Sequence, residues 1–113
     1  MICDWKIYIC SDNGEKFFGK GPYELLLNVK KYGSLNKAAA EMELSYHKAL
    51  KLIKSAEKGF GCALMNKKIG GENGGGSLLT PKALEILDKY EKFKNITETE
   101  VSKAFYSIFK SEA

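Results

Sequence analysis

Residues 45–58 combine residue types and a spacing that suit contact with a polyanion. Placed on a helix at about 100° per residue, one side carries the cationic or polar residues His47, Lys51, Lys54 and Lys58. The opposite side carries the apolar residues Ala49, Leu52, Ile53, Ala56 and Phe60. One side can pack on a core while the other neutralises phosphates. The spacing therefore predicts an amphipathic helix that lies against a phosphate backbone.

The segments around this helix resemble the parts of a helix-turn-helix with a wing. A preceding short helix is predicted from apolar residues at Leu35, Ala38, Ala39 and Met42. Ser34 and Ser45 suit the N-cap positions of the two helices, and the connection is about three residues long. Residues 63–69 and 77–79 are predicted strands, with five glycines among residues 70–76 between them. We expect a winged helix-turn-helix, mainly α with small β.

The two ends of the chain add a hairpin and helices. Residues 2–10 alternate between apolar and polar, which predicts a strand with Trp5 in the core, and Asn13-Gly14 predicts the turn to a second strand over 15–18. A helix follows with Pro22 at its first position and ends at Gly33. A further helix starts at Thr80-Pro81, and residues 95–97 are predicted to interrupt it. We therefore divide the chain into a winged-helix domain over 1–95 and a C-terminal amphipathic helix over 96–113.

The charge distribution favours the same central segment. The net charge is +4, and the chain has 18 lysines and no arginine. Residues 34–82 hold eight lysines against four acidic residues, whereas the segments before and after are close to neutral. Such a local excess is the electrostatic footprint expected of a nucleic-acid-binding surface. Because the chain has no Arg, bidentate contacts from Arg to guanine are excluded.

Several other functions are disfavoured by composition and motifs. No apolar run approaches the roughly 20 residues that cross a membrane, and charges at Asp4 and Lys6 argue against a secretory signal. We therefore expect a cytoplasmic protein without a membrane partner. The three cysteines lack a C-x-x-C spacing and are expected to be free thiols. His47 is the only histidine, so we expect no metal site, no cofactor, no catalytic constellation and no enzymatic activity.

The motifs together closely resemble the N-terminal DNA-binding domain of ModE-type, molybdate-responsive transcriptional regulators, which is related to that of LysR-type regulators. The resemblance is carried by GSLNKAAAEMELSYHKALKLI, from Gly33 on, and by MNKKIGGENGGGSLLTPKALEILDKYEKF, and it covers about residues 1–95. It implies binding to double-stranded DNA as a homodimer. Family members carry C-terminal molybdate-binding domains, whereas this sequence ends at Ala113, so we expect a stand-alone DNA-binding member with no evident effector.

Each candidate contact has an expected role on DNA. The start of the helix over 45–58 is expected to read bases in the major groove, and the glycine-rich wing over 69–77 to lie on the backbone or minor groove. The base-reading candidates are Tyr46, His47 and Lys48. Lys51 can reach a base or a phosphate. The candidates for phosphate contact, capping or wing contact are Ser34, Asn36, Ser45, Lys54, Lys67, Lys68 and Asn73.

Alternative interpretations stay open from the sequence alone. The lysines can form an ordinary solvated helix face, and the glycine loop can be a plain hairpin tip. The apolar stripe of the last helix, formed by Val101, Ala104, Phe105, Ile108 and Phe109, suits either core packing or a dimer contact. The whole chain can also be a protein-interaction module built on a winged helix, or a single-domain sensor of an oxyanion or small molecule.

Overall fold

A computed structural model describes residues 1–68 and 76–109, without the surroundings of the side chains at Lys67, Lys68 and Ser77. The predicted wing tip, including Asn73, lies outside the described residues. The elements in chain order are β1 (Ile9–Cys10), β2 (Lys16–Phe18), α1 (Lys20–Tyr32), α2 (Leu35–Glu41), α3 (Tyr46–Phe60), β3 (Met65–Lys68), β4 (Gly76–Leu79) and α4 (Pro81–Phe109). β1 pairs with β2, and β3 pairs with β4, both antiparallel. This mainly helical chain with two small sheets has the predicted winged-helix architecture.

The core forms where α1, α2 and α3 meet the first turns of α4. Its largest fully buried side chains are Phe18, Leu25, Leu26, Val29, Ile53 and Leu64. Small residues from α2, α3 and α4 complete it, at Ala38, Ala39, Ala49, Ala56 and Ala83. Because alanine adds no bulk beyond Cβ, the helix axes can cross closely, and α3 is thereby held with one side buried and one side free.

The predicted helix ends are confirmed at most positions. Ser34 Oγ accepts a hydrogen bond from the Lys37 amide at 3.2 Å, and Ser45 Oγ accepts one from the Lys48 amide at 3.1 Å. Gly33 adopts the left-handed conformation (φ 67°) that ends α1. The prediction that Pro22 begins α1 is wrong, since the helix starts two residues earlier. Proline fits there because the first four amides of a helix have no partner within it.

The N-terminal strand is shorter than predicted. Only Ile9 and Cys10 pair with β2, because β2 ends at Phe18 and the chain then turns into α1. The residues before Ile9 therefore extend past the end of their neighbouring strand. Trp5, predicted to lie in the core, is only half-buried, and Ile2 is 90% exposed.

The predicted interruption at residues 95–97 is wrong, because α4 is one continuous helix of 29 residues. Thr97 Oγ1 donates to the Lys94 carbonyl at 2.9 Å instead of capping a new helix. Ion pairs along the helix also stabilise it, including one of 3.7 Å from Lys94 to Glu98 across the predicted interruption. The division between residues 95 and 96 therefore falls inside a helix.

The second half of α4 projects away from the core. At about 1.5 Å per residue the helix is roughly 43 Å long, yet its buried residues are confined to Ala83, Leu87 and Tyr90. The molecule is accordingly elongated, measuring 62 × 29 × 24 Å. Within the described residues, no helix is both long and apolar enough to cross a membrane.

Candidate nucleic-acid interface

α3 presents the two sides that its sequence predicts. Ala49, Ile53 and Ala56 are buried against the core, and Leu52 and Phe60 are partly buried beside them. The exposed side carries His47, Lys51, Lys54 and Lys58. Apolar packing on one side thus fixes the direction of the cationic side, which can approach a polyanion without disturbing the core.

The N-terminus of α3 lies at the exposed end of the motif. Tyr46 is 45% exposed, and His47 and Lys48 are also exposed. Ser45 is exposed, but its hydroxyl is already engaged as the N-cap of α3. The first turn of α3 therefore offers an aromatic, an imidazole and an ammonium group to a ligand.

The start of α2 contributes a smaller surface. Ser34 is half-buried and its hydroxyl caps α2, whereas Asn36 is exposed one residue inside the helix. Between α2 and α3 the chain turns at Glu43, which has a positive φ of 56°. This turn brings the beginning of α2 and the beginning of α3 into one helix-turn-helix unit.

The lysines of α3 differ from those of α4 in their ionic partners. Five lysines of α4 lie within 4.0 Å of an acidic side chain on the same helix, namely Lys82, Lys89, Lys92, Lys94 and Lys103. Among the described residues, Lys48, Lys51 and Lys58 of α3 form no such pair. Their charge is therefore not neutralised within the helix, as a phosphate-binding surface requires.

Lys54 is the exception on α3. Its Nζ lies 3.8 Å from Glu57 Oε1, and Glu57 Oε2 accepts a hydrogen bond of 2.8 Å from the Leu64 amide. Sequence analysis did not single out Glu57. Its spacing of three from Lys54 signals the ion pair, but the bond to Leu64 depends on how the chain turns after α3.

The wing lies directly after the C-terminus of α3. Its two strands pair in register from Met65↔Leu79 to Lys68↔Gly76. The candidates Lys67 and Lys68 occupy the β3 positions farthest from α3, next to the wing tip. Asn73 lies outside the described residues.

A separate cavity of about 550 Å³ lies between residues 4–8, here called the N-terminal arm, and the helices α1 and α4. Its walls are rich in aromatic rings, from Trp5, Tyr8, Tyr23, Tyr90 and Phe93. Burial raises the pKa of Tyr23, with a further contribution from Glu91 and an opposing one from Lys94. The cavity lies apart from the exposed side of α3, and among the described residues no group of three or more His, Cys, Asp or Glu side chains suits a metal ion.

Comparison with known proteins supports the same fold. The chain is 40% identical over 65 residues to the molybdenum transport protein ModE of Herbaspirillum seropedicae, covering 58% of this chain and 24% of that protein. It is 32% identical over 74 residues to the transcriptional regulator ModE of Haemophilus influenzae, covering 66% of this chain and 29% of that protein. The chain thus spans less than a third of the length of these relatives. No protein-family model matches the sequence.

A solved structure extends the comparison to nearly the whole chain. The crystal structure of a LysR family transcriptional regulator superposes with a TM-score of 0.60 over 90% of this chain and 32% of that one, at 17% sequence identity. At that identity the likeness concerns the fold. The comparisons confirm the resemblance to a ModE/LysR-type winged helix-turn-helix domain.

Proposed function

We propose that this chain is a ModE-like transcriptional regulator that binds double-stranded DNA sequence-specifically as a homodimer. The observation that carries the proposal is the exposed side of α3, where Lys48, Lys51 and Lys58 have no ionic partner among the residues that the structure describes. The buried side of the helix holds these lysines outward. The names of the two ModE relatives support it. Because a transcriptional regulator acts on chromosomal DNA, we propose that this chain works in the cytoplasm.

The proposed contacts divide into base reading and backbone binding. The first turn of α3 enters the major groove, where Tyr46, His47 and Lys48 meet base edges. Lys51 meets a base or a phosphate. The remaining candidates bind the DNA backbone, where they fix the register of the protein on the duplex or hold the wing in place. They are Ser34, Asn36, Ser45, Lys54, Lys67, Lys68 and Asn73.

The proposed dimer uses the projecting half of α4. Along this helix the heptad positions of Ala83, Leu87 and Tyr90, which face the core, continue as Lys94 and Thr97 and then as the apolar residues Val101, Ala104 and Ile108. Ile108 is 69% exposed within the monomer. Covering this stripe with a second copy removes apolar surface from water and places two reading units on one duplex. Residues 1–95 then form the reading unit, and residues 96–113 the dimer contact.

A second candidate function is interaction with another molecule through the N-terminal arm and α4. The aromatic cavity between these elements favours it, because rings such as Trp5 and Phe93 supply large contact areas. In this alternative the winged helix is a scaffold for a protein or small-molecule partner.

The deciding experiment compares affinity for DNA from the upstream region of the protein's own coding sequence with affinity for scrambled DNA of equal length. Measurements run from about 50 to 200 mM salt, where counterion release is strong. A preference of about a thousandfold with a steep salt slope supports the proposal. Lack of binding to either DNA at low salt contradicts it and favours the partner-binding alternative, which a ligand-induced thermal shift then tests.

A pair of double variants controls for net charge. Lys48→Ala with Lys51→Ala removes two charges from α3, and Lys89→Ala with Lys92→Ala removes two from α4. We expect the first pair to weaken binding strongly and the second to change it little. Equal losses would mean that overall charge, rather than the α3 surface, attracts the DNA.

A further inference from the structure

A chain of hydrogen bonds connects α3, the base of the wing and the start of α4. Glu57 Oε2 accepts from the Leu64 amide at 2.8 Å, and the Leu64 carbonyl accepts from the Thr80 amide at 3.0 Å. Thr80 Oγ1 donates to the Ala63 carbonyl at 2.8 Å and accepts from the Ala83 amide at 3.1 Å. Two side chains, those of Glu57 and Thr80, therefore hold both strand ends at the base of the wing.

An acidic residue at position 57 is costly if α3 lies against phosphates. A carboxylate there repels the DNA backbone and also takes up part of the charge of Lys54, 3.8 Å away. Its side chain is only 17% exposed, so it points partly into the fold. Its hydrogen bond explains this position, because Leu64 is fully buried and its amide precedes the first pair of the β3–β4 ladder.

We propose that Glu57 is a positioning residue that sets the direction of the wing relative to α3. β3 begins one residue after Leu64, and β4 ends one residue before Thr80, so both strands leave a fixed base. The wing lysines at positions 67 and 68 then reach DNA in a constant relation to the first turn of α3. The inference rests on the proposed DNA-binding function.

Two substitutions separate the hydrogen bond from the charge. Glu57→Gln removes the charge but keeps a side-chain oxygen that can accept from Leu64. Glu57→Asp keeps the charge but is one methylene too short to reach the amide. In the free protein, we expect hydrogen exchange of the Leu64 amide to speed up by about tenfold in Glu57→Asp and to change little in Glu57→Gln.

DNA binding gives the second readout. Loss of a negative charge near phosphates favours binding, so Glu57→Gln is expected to bind as tightly as the unaltered protein or more tightly. Glu57→Asp is expected to bind about tenfold more weakly, which corresponds to about 1.4 kcal/mol. A purely electrostatic role for Glu57 predicts instead that Glu57→Asp, which keeps the negative charge, binds as tightly as the unaltered protein.

A double-mutant cycle identifies the wing as the part that loses its position. Lys67→Ala with Lys68→Ala is measured in the unaltered, Glu57→Gln and Glu57→Asp backgrounds. We expect the loss of affinity from removing the wing lysines to shrink at least about threefold in the Glu57→Asp background only. The loss from Lys51→Ala, on α3 itself, is the control and should stay constant in all three.

The possible outcomes distinguish a failure of the positioning role of Glu57 from a failure of the proposed DNA-binding function. Equal behaviour of Glu57→Gln and Glu57→Asp, in a protein that binds DNA, overturns the positioning role and leaves the proposed function standing. Failure of the unaltered protein to bind DNA overturns the proposed function, and the wing role on DNA with it, even if Leu64 exchange responds as expected. If Glu57→Asp does not fold, Thr80→Val compared with Thr80→Ser breaks the same chain at its other side chain, and the same cycle applies.

Discussion

The ring of Phe17 lies against the backbone of Gly59, in the space that a Cβ at this position would occupy. Gly59 lies inside α3, which continues to Phe60 and is capped by Gly61. The ring of Phe17 also meets that of Phe60 edge-on at 5.0 Å. Gly59 therefore serves the close approach of the N-terminal hairpin to α3.

Gly59→Ala is expected to destabilise the protein by about 1–3 kcal/mol, because the added methyl group overlaps Phe17. Helix propensity alone predicts the opposite, a gain of roughly 1 kcal/mol. Gly21→Ala is the matched control, since that helical glycine has open space around its Cβ position and should gain stability. Urea denaturation measures both, and a gain in both variants would contradict the contact.

Lys51→Ala is expected to weaken specific DNA binding and to reduce the slope of log affinity against log salt by about one unit. The physical reason is the loss of one exposed ammonium group that releases a counterion on binding. Fluorescence anisotropy across a salt series measures the slope. Lys92→Ala, which removes an exposed and acid-paired lysine from α4, should leave the slope nearly unchanged.

Tyr46→Ala and His47→Ala are expected to reduce discrimination between operator and scrambled DNA more than they reduce overall affinity. Both residues are exposed on the first turn of α3, where a recognition helix reads base edges. Competition binding with the two DNAs gives the ratio of affinities. Full preference retained by both variants would show that the recognition surface starts elsewhere on α3.

Ile108→Asp is expected to convert a dimer to a monomer, because a charge in an apolar helix seam is costly to bury. Sedimentation velocity near the concentrations that bind DNA measures the change. Thr99→Asp places the same charge on the opposite side of α4 and should leave the dimer intact. Since Ile108 is 69% exposed in the monomer, neither variant should alter the core, which circular dichroism checks.

Raising the pH above about 10 is expected to destabilise the fold through Tyr90. Burial, and then the neighbouring Tyr23, raise the pKa of Tyr90 above its ordinary value. The folded state therefore holds its proton more tightly than the unfolded state, so the stabilisation is full below the unfolded pKa and is lost as the pH rises through the folded pKa. Tyr90→Phe should flatten the fall in denaturation midpoint between pH 9 and 11.

The change in denaturation midpoint that Tyr90→Phe causes at pH 7 gives the pH-independent effect of removing the hydroxyl. That value is subtracted before the alkaline slopes are compared. An equally steep alkaline fall in the variant would mean that other groups dominate the loss of stability.

Sequence patterns predict α2 and α3 well because their signals are local. The apolar spacing around Ile53 selects the buried side of α3, and Ser34 and Ser45 cap helices by bonds to amides three residues ahead. Patterns were less reliable where a neighbour decides the outcome. The alternation in residues 2–10 suits a strand, but β2 is too short to pair with most of it.

The same contrast between local signals and contacts with distant residues holds for the candidate site. The exposed positions of His47 and Lys51 follow from helix periodicity alone. The pairing of Lys54 with Glu57, and the contact of Glu57 with Leu64, depend on the path of the chain after α3. The predicted interruption at residues 95–97 is wrong because the Thr97 hydroxyl bonds back to the Lys94 carbonyl of its own helix, so it does not cap a new one.

Residue order alone therefore determined the two faces of α3, the caps of its motif and the lysine excess in its central segment. These properties depend on interactions within one or two helical turns, which any chain with that local order makes. Tertiary structure decided the close approach of Phe17 to Gly59, the anchoring of Leu64 by Glu57 and the projection of α4 beyond the core. Such contacts join residues from different elements, and they become favourable only when packing the shared core has offset the entropy of bringing those elements together.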